Sequence, residues 1–147
     1  GQLEWRLRED PRTDVIERLN ARHLRPEDIP YAPELATVDV SFISLTKVLP
    51  AIVGCLAPGG EILALVKPQF ELARERVGKG GVVREPADRR AALLSVGRAA
   101  GVLGLDVVGF APSGVPGPKG NRETFIHCAL EGSAIEGLEA AALMVEP

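Results

Sequence analysis

Two carboxylates and one ammonium group stand at the ends of three predicted strands. Asp39 follows a run rich in Val and Thr, Lys67 ends the apolar run 61–67, and Glu123 opens the last apolar run. The carboxyl ends of parallel strands face the ligand crevice of α/β folds, and an antiparallel strand begins at that same edge. We therefore expect the three groups to meet in one crevice, with Lys67 paired to the carboxylates, as a candidate active site.

The same residue types also allow purely structural roles. Asp39 would then only cap the turn that follows it, Lys67 would reach solvent, and Glu123 would form a surface ion pair of little energetic value. An Asp within an apolar run is costly to bury unless another group pairs with it. The coincidence of charges at three independent strand ends favours the active-site interpretation.

The first half of the chain predicts short elements. These are a helix over Gln2–Glu9, a strand over Asp14–Leu19 and a turn or single helical turn over Arg25–Pro30. Apolar residues between Leu45 and Leu56 then follow one face of a helix. Pro50 lies within this run, so the regular helix either starts near Leu49 or is kinked there.

The second half predicts longer elements. They are strands over Glu61–Lys67, Leu105–Ala111 and Glu123–Leu130, a helix from Pro86 to Gly104, and a terminal helix opened by the capping-box spacing of Ser133–Glu136. The near-continuous apolar run of the first strand predicts burial on both of its faces. Strands that alternate with helices predict an α/β fold whose open sheet is mostly parallel, with helices on both faces. The last strand follows its predecessor without a helix, so we expect that pair to be antiparallel.

Size and charge limit the classes of function. The 147 residues suffice for one domain, and 46% hydrophobic with 25% charged residues is ordinary for a soluble globular protein. A net charge of −3 does not indicate nucleic-acid binding, so any RNA contact would use local basic clusters. No apolar run approaches the ~18 residues of a membrane span, and no signal peptide is visible.

The cysteine and histidine positions argue against disulfide and metal chemistry. Cys55 and Cys128 lie far apart in apolar contexts, which predicts buried reduced thiols in a cytoplasmic protein. His23 and His127 lack the spacing of zinc ligands, so we expect no metal. The chain begins at Gly1 without an initiator Met, within a predicted helix, which suggests that the start of the natural protein is missing here.

Four segments together resemble a known family of RNA-modifying enzymes. They are Thr37–Leu45, Leu65–Glu71, Gly78–Arg84 and Gly117–Glu123. In this order they resemble the TlyA family, the hemolysin-like ribosomal-RNA methyltransferases within the wider FtsJ-like group of 2′-O-ribose methyltransferases. The resemblance runs from Gly1 to about Leu130.

The resemblance implies transfer of a methyl group from S-adenosylmethionine to a ribose 2′-hydroxyl of ribosomal RNA, free or in a ribosomal subunit. The wider group uses a Lys-Asp-Lys-Glu constellation, in which Asp39, Lys67 and Glu123 match the last three members. Lys67 would be the base or would orient the hydroxyl, Asp39 would orient Lys67 and stabilise the sulfonium side, and Glu123 would hold the lysine network. The first Lys of the constellation lies upstream of Gly1 in the family.

The resemblance and the residue types together suggest binding residues for cofactor and RNA. Asn20 and Ala21 match the turn that contacts adenine, Asp39 also faces the cofactor, and Phe42 would stack on adenine or on a base, or else pack under the sheet edge. Candidate phosphate contacts are Lys79, Arg84, Lys119 and Arg122. Such contacts would position RNA without reading its sequence, and a solvated loop is the alternative for each. The glycines around Lys79 lack the Walker spacing of a phosphate loop.

By the resemblance, residues 1–131 form a partial FtsJ-like domain, and residues 132–147 form a C-terminal tail that can become helical. The fold would be a Rossmann-like methyltransferase sheet lacking its first strands, one of which would end at Gly1–Leu3. The glycine-rich cofactor loop and an S4-type RNA-binding domain would also lie upstream. A sheet without those strands leaves apolar faces and edges open. We therefore expect this chain alone to bind the cofactor poorly.

Two other classes of function stay open on the sequence. A non-catalytic Rossmann-like binding or scaffold module could keep the back half of the fold without the chemistry. The family label "hemolysin" suggests a membrane-active protein, but the chain has no spanning segment and no basic amphipathic helix, which disfavours it.

Overall fold

The computed structural model describes residues 3–146, which form one α/β unit. The predicted strand end at Gly1–Leu3 falls almost wholly outside this range. In chain order, the helices and strands are α1 (Trp5–Arg8), β1 (Leu35–Val38), α2 (Leu49–Val53), β2 (Glu61–Val66), α3 (Pro68–Glu71), α4 (Pro86–Val102), β3 (Asp106–Pro112), β4 (Thr124–Ala129) and α5 (Leu138–Val145). Short 3-10 helices cover Ala21–His23, Pro26–Asp28, Leu45–Lys47, Arg74–Arg76 and Pro118–Gly120.

The described sheet has the strand order β1-β2-β4-β3. β1 and β2 are parallel neighbours, whereas β4 lies between β2 and β3 and is antiparallel to both. Thr124 at the start of β4 is therefore opposite Val66 at the end of β2. This confirms the predicted sheet, mostly parallel with an antiparallel last strand, and it brings the start of β4 to the carboxyl edge of β1 and β2.

One face of the sheet carries the core. Ile62, Ala64 and Val66 of β2 are buried, as are Val96 and Ala100 of α4, and all five belong to a single hydrophobic cluster. The aliphatic spacing of α4 thus places one helix stripe against one sheet face.

The opposite face contradicts one sequence prediction. In β2, Leu63 is 36% exposed and Glu61 is exposed as well, so β2 is not buried on both faces. Leu35 of the neighbouring strand β1 is 54% exposed. An apolar strand sequence indicates that both of its faces can be buried. Whether they are buried depends on which other elements pack against each face.

Several element boundaries also differ from the sequence predictions. No strand forms over Asp14–Leu19, and within this segment Arg18 departs from extended backbone with a left-handed φ of 60°. The terminal helix α5 begins at Leu138, after Gly137, and uses no side-chain cap, so the capping-box prediction at Ser133–Glu136 is wrong. The regular helix α2 does start at Leu49, and Pro50 occupies its first turn, where a missing N–H is tolerated.

Two further observations concern membrane and cysteine chemistry. Within residues 3–146, no helix combines the length and the apolar character needed to cross a bilayer.

Cys55 and Cys128 are both buried free thiols. Burial raises the pKa of the Cys128 thiol to about 12, so this thiol stays protonated and unreactive at neutral pH.

The two sheet faces predict different costs of mutation. Ile126 in β4 is 0% exposed, so Ile126→Ala should lower the free energy of unfolding by ~2–5 kcal/mol through lost burial and a residual cavity. Leu63→Ala, on the open face, should cost about 1 kcal/mol or less. Urea unfolding of this chain followed by circular dichroism measures both. Equal losses at the two positions would contradict the assignment of the core to one face.

Candidate active site

Lys67 and Asp39 form an ion pair at the carboxyl edge of the sheet. Each side chain directly follows a strand, Asp39 after β1 and Lys67 after β2, and these strands are parallel neighbours. Lys67 Nζ lies 2.5 Å from Asp39 Oδ1 and donates to Ser41 Oγ at 3.3 Å. The lysine side chain is only 12% exposed, whereas the aspartate is 68% exposed. A largely buried ammonium group is thus neutralised by a carboxylate that reaches solvent.

Glu123 lies at the same edge but has a different partner. Its side chain is buried, and Gln69 Nε2 donates to Glu123 Oε1 at 3.4 Å. Within residues 3–146, the ion pair of Lys67 is with Asp39. The prediction that Lys67 pairs with both carboxylates is therefore wrong in this detail. Since β4 starts beside the end of β2, Glu123 reaches the residues that follow Lys67 in α3 rather than the lysine itself.

A cleft of about 370 Å³ joins these groups, and we call it the Lys67 cleft. Lys67, Gln69 and Glu123 all line it. Gly117 packs so closely on the Glu123 carboxyl group that an added Cβ would lie 2.3 Å from Oε1. A side chain at position 117 would therefore displace the Glu123 carboxylate.

Phe42 borders a second cleft as well. It is 90% exposed and has a left-handed φ of 62°, which is rare for a bulky residue. Its ring rests against Phe70, with centroids 5.2 Å apart and planes tilted by 50°. Phe42 lines the Lys67 cleft on one side and a cleft of about 570 Å³ on the other. The ring is thus presented to both clefts rather than packed under the sheet edge.

The second cleft, here called the Asn20 cleft, contains the predicted adenine-contacting turn. Asn20 and Ala21 line it together with Val40 and Ile43. The Asn20 side chain accepts a hydrogen bond from the backbone N–H of Arg22 and so caps the 3-10 helix Ala21–His23. In the sequence, a segment that includes two 3-10 helices and β1 separates Asn20 from Phe42, and the fold brings them to one surface.

The four basic residues predicted to contact RNA are spread over different surfaces. Lys119 lines the Lys67 cleft, and its Nζ donates to the carbonyl of Gly80 at 3.0 Å. Arg122 lines a separate small cavity of about 280 Å³ on another side of Glu123. Lys79 and Arg84 are exposed on the preceding loop. Among the described residues, no cluster of three His, Cys, Asp or Glu side chains is arranged to hold a metal ion.

The family of the chain follows from its sequence over this same region. Residues 1–130 match the FtsJ-like methyltransferase family. The chain belongs to that family. The match covers every residue of the two clefts and ends just beyond β4, so α5 lies outside it.

Similar proteins support the same assignment. The chain is 52% identical over 126 residues to the 16S/23S rRNA (cytidine-2′-O)-methyltransferase TlyA of Mycobacterium tuberculosis, covering 86% of this chain and 47% of that protein. It is 44% identical to YqxC of Bacillus subtilis, named as a candidate rRNA methyltransferase, covering 95% of this chain and 50% of that protein. The chain spans about half the length of these curated relatives.

A solved structure shares the fold. A protein from Streptococcus thermophilus, named as a candidate hemolysin, superposes with a TM-score of 0.89 at 37% identity, covering 98% of this chain and 54% of that one. The predicted resemblance to the TlyA family is therefore confirmed. One of the similar proteins also carries the hemolysin name.

The FtsJ-like site contains polar residues that the sequence analysis did not single out. Ser41 contacts Lys67, Gln69 contacts Glu123, and the buried Asn121 connects two loops of the Lys67 cleft. Each lies two residues from a predicted site residue, Asp39, Lys67 or Glu123. That proximity, and their place within the segments that carry the family resemblance, are the signals in the sequence that could have revealed them.

Glu71 anchors the loop that carries Phe42. Its carboxylate accepts hydrogen bonds from Ser44 Oγ at 2.6 Å and from the backbone N–H of Leu45 at 2.8 Å. Burial raises the pKa of Glu71 above its ordinary value of 4.5, against these two hydrogen bonds, which lower it. The FtsJ-like chain therefore connects α3, which follows Lys67, to the 3-10 helix that follows Asp39.

The raised pKa of Glu71 predicts a pH effect on stability. A carboxyl whose folded pKa exceeds its unfolded value contributes stability fully below about pH 4.5 and loses it as pH rises through the folded pKa. Glu71→Gln cannot ionise at this position. As pH rises from about 4 to 7, the unfolding free energy of the variant should therefore increase relative to that of the unmodified chain. Urea unfolding across this range measures the difference. A difference that does not change with pH would contradict the assignment.

Proposed function

We propose that this chain is the catalytic part of an S-adenosylmethionine-dependent methyltransferase that modifies a ribose 2′-hydroxyl of ribosomal RNA. The observation that carries the proposal is the Lys67–Asp39 ion pair at the mouth of a cleft that also contains Glu123. The named activity of the Mycobacterium tuberculosis relative supports the substrate class.

The reaction needs a hydroxyl oxygen placed in line with an activated methyl group. S-adenosylmethionine would supply that methyl on a sulfonium, so a new carbon–oxygen bond forms as the carbon–sulfur bond breaks. Holding the reacting atoms in this geometry supplies much of the rate. The protein must also accept or orient the hydroxyl proton, which a free ribose gives up poorly.

Lys67 is the group suited to the hydroxyl proton. Its side chain is 12% exposed and held by Asp39 and Ser41, so the Nζ position is well defined in the cleft. A lysine acts as a base only after its ammonium group loses a proton, which burial or a neighbouring cation promotes. With its proton retained, Lys67 would orient the hydroxyl oxygen by a hydrogen bond. Asp39, which is 68% exposed, would face the sulfonium side.

The Asn20 cleft suits the adenosine part of the cofactor. Its walls combine the apolar side chains of Ala21, Val40 and Ile43 with the exposed ring of Phe42. A flat purine stacks well on such a ring and between aliphatic walls. Because Phe42 also lines the Lys67 cleft, a cofactor held there would lie beside the Lys67–Asp39 pair.

Lys119 is the best placed of the basic residues for RNA. It lines the Lys67 cleft and lies on the loop before Glu123. A phosphate contact from Lys119 would position the ribose without reading the base sequence. Lys79, Arg84 and Arg122 would extend the contacts along the outer loops. The working protein would act in the cytoplasm, where ribosomal subunits are found.

Substitution of Lys67 tests the chemistry. In a form of the protein extended upstream, Lys67→Ala should lower methyl transfer to ribosomal RNA by at least about 100-fold, since a proton-handling group is lost. Binding of S-adenosylmethionine should stay near normal. A radiolabelled methyl-transfer assay and calorimetric titration measure the two effects. Arg98→Ala, which removes an exposed cation on α4, is the matched control and should leave both unchanged. A fully active Lys67→Ala protein would refute the role of this lysine.

Cofactor titration tests whether this chain suffices for binding. Phe42, which would form one wall of the Asn20 cleft, is 90% exposed, so the chain alone should bind S-adenosylmethionine much more weakly than an upstream-extended form. Isothermal titration of both proteins measures this. Binding by neither protein would instead favour the non-catalytic binding or scaffold module.

A further inference from the structure

A buried ion pair joins the end of the chain to α4. Arg89 Nε donates to Glu146 Oε2 at 2.7 Å, and the two side chains are only 7% and 5% exposed. Arg90 also donates to the backbone carbonyl of Glu146 at 2.6 Å. By contrast, Arg98 of α4 and Glu139 of α5 form a pair whose side chains are both 65% exposed. Burying two charges carries a desolvation cost that a surface pair avoids, so the Arg89–Glu146 pair calls for a specific role.

Arg89 extends the pair toward the loops of the Lys67 cleft. Its Nη1 donates to the carbonyl of Arg84 at 2.6 Å and contacts the carbonyl of Val83 at 3.5 Å. These residues end the glycine-rich loop 78–84, whose Gly80 and Gly81 line the Lys67 cleft. The guanidinium group therefore holds both Glu146, which follows α5, and this loop.

Asn121 continues the connection from that loop to Glu123. The backbone N–H of Val83 donates to Asn121 Oδ1 at 2.9 Å, and Asn121 Nδ2 donates to the carbonyl of Gly81 at 2.8 Å. The N–H of Gly117 donates to the Asn121 carbonyl at 2.8 Å. Gly117 packs directly on the Glu123 carboxyl group. By holding Gly117, Asn121 therefore helps to fix the position of that carboxyl group.

The end of the chain also reaches Glu123 by a second route. The small cavity of about 280 Å³ is lined by Arg122 and Glu123 together with Val145 and Glu146. Glu123 thus lies between the Lys67 cleft and the last described residues. The shared cavity places the C-terminal segment close to the candidate catalytic carboxylate.

We propose that Arg89, Glu146 and Asn121 are positioning residues that hold the two loops of the Lys67 cleft, and with them Glu123 and Lys119, in register for methyl transfer. The C-terminal segment after α5 then belongs to the active site although it lies outside the family match. The proposal rests on the function proposed above for its activity readout. Its structural part, a connection from Glu146 to the cleft loops, stands without it.

Glu146→Ala and Glu146→Gln, made in the upstream-extended protein, test the proposal against the control Glu139→Ala. Glu146→Ala should lower kcat at least about tenfold with little change in the dissociation constant of S-adenosylmethionine, because misplaced groups slow the reaction steeply. Glu146→Gln keeps an acceptor for Arg89 and should recover part of that loss. Glu139→Ala should leave kcat unchanged. A Glu146→Ala protein that is folded and has unchanged kcat would overturn the proposal.

Hydrogen exchange separates this proposal from the proposed function. The amides of Val83 and Gly117 should exchange faster in Glu146→Ala than in the unmodified protein, and Glu139→Ala should not alter them. Faster exchange confined to α4 and α5 would mean a local structural role and would overturn the proposal. If the unmodified protein transfers no methyl group, the proposed function fails, and the exchange result still decides the connection.

A combined variant covers the case in which Glu146→Ala does not fold. Asn121→Ala and Glu146→Gln should each lower kcat, and the double variant should lose less than the product of the two effects, since both act through one connection. Independent, multiplicative losses would show that the two residues act separately and would overturn the proposal.

Discussion

The site depends on an ammonium group that is largely withdrawn from water and therefore needs a counter-charge. Lys67 is 12% exposed, and Asp39 supplies that charge at 2.5 Å. The contact exists because β1 and β2 are parallel neighbours, so the residues that follow them leave the sheet side by side. Any change in strand order or register would separate the two charges and leave the lysine without its partner.

The antiparallel strand β4 places the third charged group. A parallel last strand would begin at the far edge of the sheet, and Glu123 would then lie a full strand length from Lys67. Because β4 runs antiparallel to β2, its first residues lie beside the end of β2. Glu123 therefore enters the Lys67 cleft, where Gln69 and Gly117 contact its carboxyl group. Topology, rather than nearness in sequence, assembles the constellation.

Under the proposed function, the two clefts would divide the tasks of a methyltransferase. The Asn20 cleft offers apolar walls and an exposed ring, while the Lys67 cleft holds the charged groups. Phe42 borders both, and Glu71 anchors its loop to the segment that follows Lys67. The left-handed backbone of Phe42 is a strained conformation of the kind that is maintained where function needs a side chain presented.

The sequence by itself determined the candidate charges, the sheet type, the long helix near Pro86–Val102 and the family resemblance, because strand ends, apolar periodicity and motif order are local properties. Only the tertiary structure decided that Glu123 meets Gln69 instead of Lys67, that Asp14–Leu19 forms no strand, and that one sheet face is open. It alone brought Glu146 to Arg89 and Asn121 to Val83. Those contacts join residues far apart along the chain, and a hydrogen-bond partner depends on which loops the fold brings together, so no local pattern encodes it.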